Sequence, residues 1–529
     1  MTTVESRALE HKLSRSPGKV GMMVFASALL VGVIYTILAL ARDLSSVSTN
    51  SVFPYLLLGV ALLTALGFEF VNGFHDTANA VATVIYTHSM EPHVAVVWSG
   101  IWNFIGVLLS SGAVAFAIIT LLPVELILQV GSGAGFSMVF ALLLAAIIWN
   151  IGTWYLGLPA SSSHTMVGSI IGVGIANQLM STQTNTSGVD WDQALNVGKS
   201  LLVSPLTGFI IAATLLLICK TVIKDQRLYE APAGNEPPPF WIRALLVLTC
   251  TGVSFAHGSN DGQKGMGLIM LILVGTVPTA YALNHAVTPA ETADFLAVSA
   301  QTAQVVSKHV TGSTTLDVPR DELTDYIRTR EFTQNTMRAL HEDITEIGNE
   351  VKEFKLLKNV PADRMGNLRN DMYIVSETLR LVQKSSHSEF TADEKQVLAN
   401  YKRHIDLATK FIPTWVKIAV ALALGLGTMI GWKRIVITVG EKIGKDHLTY
   451  GQGAAAEITA MTTIMTADGL GLPVSTTHVL SSGIAGTMAA NRTGLQMGTV
   501  RNLLLAWVLT LPAAMMLSGF LFWTLRKFF

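Results

Sequence analysis

The chain has 529 residues, half of them apolar, with 14% charged residues where a soluble domain carries about a quarter, and a mean hydropathy of +0.47. Its 36 basic and 36 acidic side chains balance to a formal charge of zero, which gives no reason to expect a nucleic-acid partner, and its only cysteines, Cys219 and Cys250, exclude a disulfide framework. These values point to a polytopic membrane protein.

A basic segment, 1–19, precedes an apolar run near 20–41 that is longer than a signal-peptide core and lacks a small-residue cleavage site, so 20–50 reads as a first transmembrane helix and its loop. Further runs of spanning length lie near 53–71, 94–122, 135–157, 201–222, 241–256, 413–432 and 502–525. Shorter Gly-rich apolar pieces near 77–87, 165–180, 262–285 and 478–490 are predicted half-helices or hairpin arms. The order implies a first membrane repeat over 51–222, a Pro-rich linker over 223–240, and a second repeat that starts at 241–285 and resumes at 413–529. Ten to twelve crossings are expected. Basic segments at 7–19, 220–243 and 433–445 are predicted to face the cytoplasm.

Between the parts of the second repeat, 286–412 turns charged, and Ile344, Ile347, Val351, Phe354 and Leu357 recur at helical spacing. This is a soluble helical insertion, and its balanced charges favour a packing or regulatory role over a second active site.

Two kinds of polar cluster are each written twice. Gly157-Leu158-Pro159-Ala160-Ser161-Ser162-Ser163-His164 returns as Gly471-Leu472-Pro473-Val474-Ser475-Thr476-Thr477-His478. Proline removes a backbone donor and the hydroxyls compete for backbone hydrogen bonds, so neither segment is ordinary helix interior. Such backbone is tolerated at membrane depth only inside protein or along a cavity, and duplicated breaks point to a substrate site. The second cluster, Glu69 to Ala80, aligns with Ser254 to Gly265: Gly73 falls on Gly258, Asp76 on Asp261 and Asn79 on Lys264. A carboxylate in an apolar segment costs at least about 2.5 kcal/mol, so a matched pair argues for a function and against accident. Each half is therefore expected to break at its Asp and again at its Pro-hydroxyl-His segment. Half-helix N-termini and hydroxyls attract an oxyanion, and Asp76 and Asp261 can accept hydrogen bonds from a protonated phosphate but not from deprotonated sulfate.

Four motifs in this order resemble the inorganic phosphate transporter (PiT) family. The resemblance implies an all-α polytopic membrane protein with inverted structural repeats, broken helices and re-entrant hairpins. It also implies a homodimer in a bacterial inner membrane, with the insertion in the cytoplasm, importing phosphate by alternating access with a coupling cation. It assigns phosphate binding to Asp76, Asn79, Ser161, Ser162, Ser163, Asp261, Gln263, Ser475, Thr476 and Thr477. Sodium-coupled members tend to repeat Asn-Asp-x-x-Asn in both halves; here Asn260 keeps that pattern, while His75 and Lys264 depart from it. The chain therefore looks more like the bacterial branch that uses a proton and takes phosphate as a neutral complex with a divalent metal such as magnesium, with no permanently bound cofactor. A sodium-coupled phosphate carrier or a carrier of another oxyanion is the alternative.

Coupling candidates are Lys264, His75, Asn260, Glu69, Glu457, His164 and His478. Glu69 and Glu457 could form a proton path or be paired structural acids; His164 and His478 could carry protons or brace their hairpins. An intramembrane Ser/His hydrolase is disfavoured, because no Gly-x-Ser-x-Gly elbow occurs and the whole set is doubled where one nucleophile would serve.

Overall fold

The computed structural model describes residues 19–45, 53–76, 78–128, 131–180, 189–232, 236–310, 318–385 and 390–528, with the side chains at 53, 54, 78 and 79 also outside the description. It is all-helical among these residues, apart from one isolated bridge between Gly444 and Leu495. Helix α1, Lys19–Leu44, fully buries only Gly32, against Leu422, packs Ala39, Leu40 and Leu44 partly against the membrane core, and leaves most of its other apolar side chains exposed.

The first membrane half comprises α2 (Phe53–Asp76), α3 (Ala78–Tyr86), α4 (Pro92–Leu109), α5 (Ala113–Ile119), α6 (Val124–Leu128), α7 (Gly133–Tyr155), α8 (Ser162–Met180) and α9 (Trp191–Val222). The second comprises α10 (Phe240–Thr276) and α11 (Pro278–Tyr281), then, after the insertion, α17 (Thr414–Thr428), α18 (Lys433–Glu441), α19 (Tyr450–Gly469), α20 (Thr476–Asn491) and α21 (Met497–Leu525). Packing partners are exchanged between the halves: α9 lies along α20 and α21 along α8, while α10 lies along α4 and α17 along α2.

Among the described residues, seven helices are long and apolar enough to cross a membrane, below the ten to twelve crossings expected. The difference lies in α5, α6, α17, α18 and α20, at 5 to 16 residues each, and in α8 and α19, whose polar residues dilute the apolar run. One expectation is overturned. The cluster around Asp261 does not break its helix, because α10 runs unbroken through all 37 residues. Its glycines serve approach, not interruption: a Cβ on Gly258 would lie 2.2 Å from the Asn103 carbonyl oxygen, and Gly262 sits on Val107. This is the small-xxx-small pattern by which helices of membrane proteins close on one another.

The insertion holds α12 (Pro289–Ser307), α13 (Pro319–Thr329), α14 (Gln334–Phe354), α15 (Ala362–Lys384) and α16 (Ala392–Thr409) around its own core, which includes Phe295, Leu340, Ile344, Ile347, Leu379, Leu398 and Tyr401. Capping boxes at Thr288 with Glu291 and at Thr391 with Glu394 start two of these helices in the manner of soluble ones. The insertion is tied to the membrane part at Asp190, which caps α9 through Gln193 and accepts from Arg380 at 2.9 Å and Arg330 at 3.0 Å.

Candidate functional site

The two Gly-Leu-Pro-hydroxyl segments fold alike. Gly157 and Gly471 both take φ +66°, a left-handed conformation that glycine adopts without a side-chain clash. Leu158 then donates its backbone N–H to Thr153 at 2.9 Å and Leu472 donates to Ala467 at 2.8 Å, the 6→1 bond that closes a helix C-terminus. After the proline a new helix begins, with the first hydroxyl residue as its cap: His164 N–H donates to Ser161 Oγ and His478 N–H to Ser475 Oγ. Each proline carbonyl is held by the opposite half, Pro159 by Trp507 Nε1 and Pro473 by Ser200 Oγ, both at 3.1 Å.

These helix starts converge on Asp76, at the end of α2. Ser162 Oγ donates to Asp76 Oδ2 at 2.8 Å and Thr477 Oγ1 to Oδ1 at 2.7 Å, so one carboxylate collects a hydroxyl from each hairpin. His75 sits 2.9 Å from the same carboxylate and 3.1 Å from Thr153 Oγ1. Across the site, Lys264 Nζ lies 2.7 Å from Asp261 Oδ2 and donates to Ser163 Oγ at 2.6 Å; Ser163 in turn donates to the Val474 carbonyl. The Thr476 hydroxyl is buried and finds no partner among the described residues.

One contributor escaped the sequence reading. Asp76, His257 and Asp261 each offer a ligand atom within 4.8 Å of the others, and all three are buried. Asn103 Oδ1 lies 2.9 Å from His257 Nδ1, which fixes the ring and turns Nε2 toward Asp261, 3.5 Å away. His257 and Asp261 are four apart on a continuous helix and share a face; reading the cluster as a break concealed this.

Other candidates lie apart from the two carboxylates. Gln263 gives its amide to Asp468 and the Ser259 carbonyl and accepts from Val114 N–H, so it does not face Asp261. Asn260 bonds the backbone of Leu472 and Val474. Glu69 is buried against Gly265 and accepts from Asn72 at 3.4 Å, while Glu457 accepts hydroxyls from Thr83 and Thr249. The rings of His164 and His478 meet at 4.6 Å, and His478 stacks on Trp507 at 4.1 Å. The side chain of Asn79 lies outside the described residues.

A bundle of apolar helices that brings two capped helix starts onto buried, paired carboxylates has the build of a membrane transport protein. The profile of the Phosphate transporter family matches residues 72–518, and the chain belongs to that family: it is a phosphate transporter and not an enzyme. It is 44% identical to the low-affinity inorganic phosphate transporter PitA of Escherichia coli K12 over 89% of this chain and 97% of that protein, and 41% identical to PitB of the same strain over the same shares. Among solved structures it is similar to a chain described as the sodium-dependent phosphate transporter, with 18% identity, a TM-score of 0.49, and coverage of 89% of this chain and 100% of that one.

Proposed function

We propose that the chain imports phosphate across a bacterial inner membrane as a neutral complex with a divalent metal, by proton symport and alternating access of two inverted repeats. The observation that carries this reading is the position of Asp76, hydrogen-bonded at once to Ser162 of one hairpin and Thr477 of the other. A ligand that engages this carboxylate and these hydroxyls senses both halves together. The first turns of α8 and α20 supply backbone donors to an oxyanion, with Ser161, Ser163, Ser475 and Thr476 beside them.

Charge favours the metal complex over bare phosphate. Asp76 and Asp261 carry two formal negative charges and Lys264 one positive, so the site is net negative and repels a phosphate dianion. A divalent cation reverses that sign, and Asp76, His257 and Asp261 form a compact oxygen and imidazole set to receive it as part of the cargo. Lys264 takes the place of one fixed cation beside Asp261, which supports uptake without sodium. The exchanged packing of α8, α9, α20 and α21 supports the repeat reading.

Uptake of labelled phosphate into proteoliposomes tests each part. A pH gradient without sodium, with magnesium present, drives accumulation, and Asp76→Asn reduces it to background while the protein still inserts. Strict dependence on sodium sinks the proton reading, indifference to chelation of divalent ions sinks the metal complex, and near-normal uptake by the variant removes Asp76 from the site.

A further inference from the structure

Asp468 stands at the end of α19, three residues before Gly471, and is half-exposed beside Leu470, which is 69% exposed. Its carboxylate accepts two hydrogen bonds from α10: Ser259 Oγ donates to Oδ2 at 2.7 Å and Gln263 Nε2 to Oδ1 at 2.5 Å. Two residues along an α-helix turn through about 200°, so Ser259 and Gln263 occupy the face of α10 opposite Asp261. The amide of Gln263 is fixed in this orientation, because its Oε1 accepts from Val114 N–H at 2.9 Å at the start of α5. One residue along from Ser259, Asn260 Nδ2 donates to the Leu472 carbonyl and Oδ1 accepts from Val474 N–H. The Val474 carbonyl accepts from Ser163, which accepts from Lys264. A continuous run of hydrogen bonds therefore leads from the Asp261–Lys264 pair to a hairpin turn that ends at the surface.

We propose that Asp468, Ser259 and Gln263 form a latch that pins the turn 468–474 onto α10 and closes the site on that face, so that the latch must open for the site to exchange its contents there. Asp468 is thus a positioning residue; it holds the hairpin and does not touch the cargo. The inference rests on transport, which the family establishes, and is independent of which ion couples it.

The test exchanges the latch partners. In Asp468→Asn the new amide can turn its oxygen to Gln263 Nε2 and its NH2 to the Ser259 hydroxyl, so this variant keeps the contacts and loses only the charge, whereas in Gln263→Glu two carboxylates face one another. Combining the two substitutions restores a pair, in which the introduced asparagine donates to the introduced glutamate and accepts from Ser259. Val474 is 2% exposed and lies behind the latch. In protein whose Cys219 and Cys250 are replaced by alanine, Val474→Cys reports opening through its rate of modification by a membrane-impermeant thiol reagent. Gln263→Glu should raise that rate at least tenfold and lower net phosphate uptake, Asp468→Asn should change the rate by a smaller factor, and the double variant should return both to within about threefold of the parent. Ser259→Ala, which removes one donor and introduces no charge, should raise the rate by a smaller factor and serves if a charged variant fails to insert. An unchanged labelling rate in Gln263→Glu or in Ser259→Ala, or a double variant no better than Gln263→Glu, overturns the latch.

Discussion

Lys264 and Thr476 separate fixed charge from hydrogen bonding. The ammonium of Lys264 lies between Asp261 and Ser163, so Lys264→Asn leaves the paired carboxylates without their cation. Proton-driven uptake should be lost in this variant, and a gain of weak sodium dependence would show that a mobile cation now fills the place; unchanged sodium-free uptake would refute the assignment. The hydroxyls make a second, independent test. Thr476 has no partner among the described residues, so Thr476→Ala should leave the melting temperature in detergent unchanged while weakening phosphate binding by about 1.5–3 kcal/mol, roughly ten- to a hundredfold in half-saturation. Ser162 already donates to Asp76, so Ser162→Ala should lower both stability and affinity. Binding by Thr476→Ala within twofold of wild type would confine that hydroxyl to the fold.

At the scale of elements, the hairpin turns were legible because their chemistry is local. Glycine, proline and a capping hydroxyl at fixed offsets dictate a helix stop and a helix start, and both were found at both copies. A Cβ on Gly471 would meet nothing nearer than Ala113 Cβ at 3.4 Å, so Gly471→Ala isolates the cost of a left-handed residue. The expected loss is about 1–2 kcal/mol, read as a lower melting temperature with the neighbouring hydroxyls unchanged. No loss would mean that the turn relaxes. The unbroken course of α10 was not legible, because it depends on the fit of Gly258 against Asn103, a contact between segments far apart in the chain. The same distance hid His257 as a partner of Asp76, and Asp468 as the acceptor that draws Gln263 away from Asp261.

For the whole molecule, the insertion adds a pH dependence of its own. Asp343 on α14 is buried with one carboxylate oxygen unpartnered, and burial, together with Asp371, Glu346 and Glu342, raises its pKa to about 7 against the pull of Arg320. Burial likewise raises Asp371 to about 6, although Arg320 is paired with it. The folded insertion holds these protons where the unfolded chain, with carboxyls near 3.8, has released them. Stability should therefore fall as pH rises from about 4 to about 7 and level off above, the slope for one such carboxyl approaching about 1.4 kcal/mol per pH unit. Asp343→Asn should flatten that slope and raise protection of Gln334–Phe354 against hydrogen exchange at pH 8 in the full-length protein. An unaltered slope would remove Asp343 as its source. Arg330 and Arg380 join the insertion to α9 through Asp190, so the state of this unit reaches a helix that packs along α20.

The exchange of packing partners also sets an order of assembly. Helix α8 leaves the ribosome early, but the helix that covers it, α21, is made only after the insertion, and Trp507, which holds the Pro159 carbonyl, arrives with it. The first hairpin must then wait in the bilayer with its Pro159 carbonyl unclaimed until α21 arrives. Loss of α21 would thus expose the earlier half to membrane quality control, even though every motif of that half is intact.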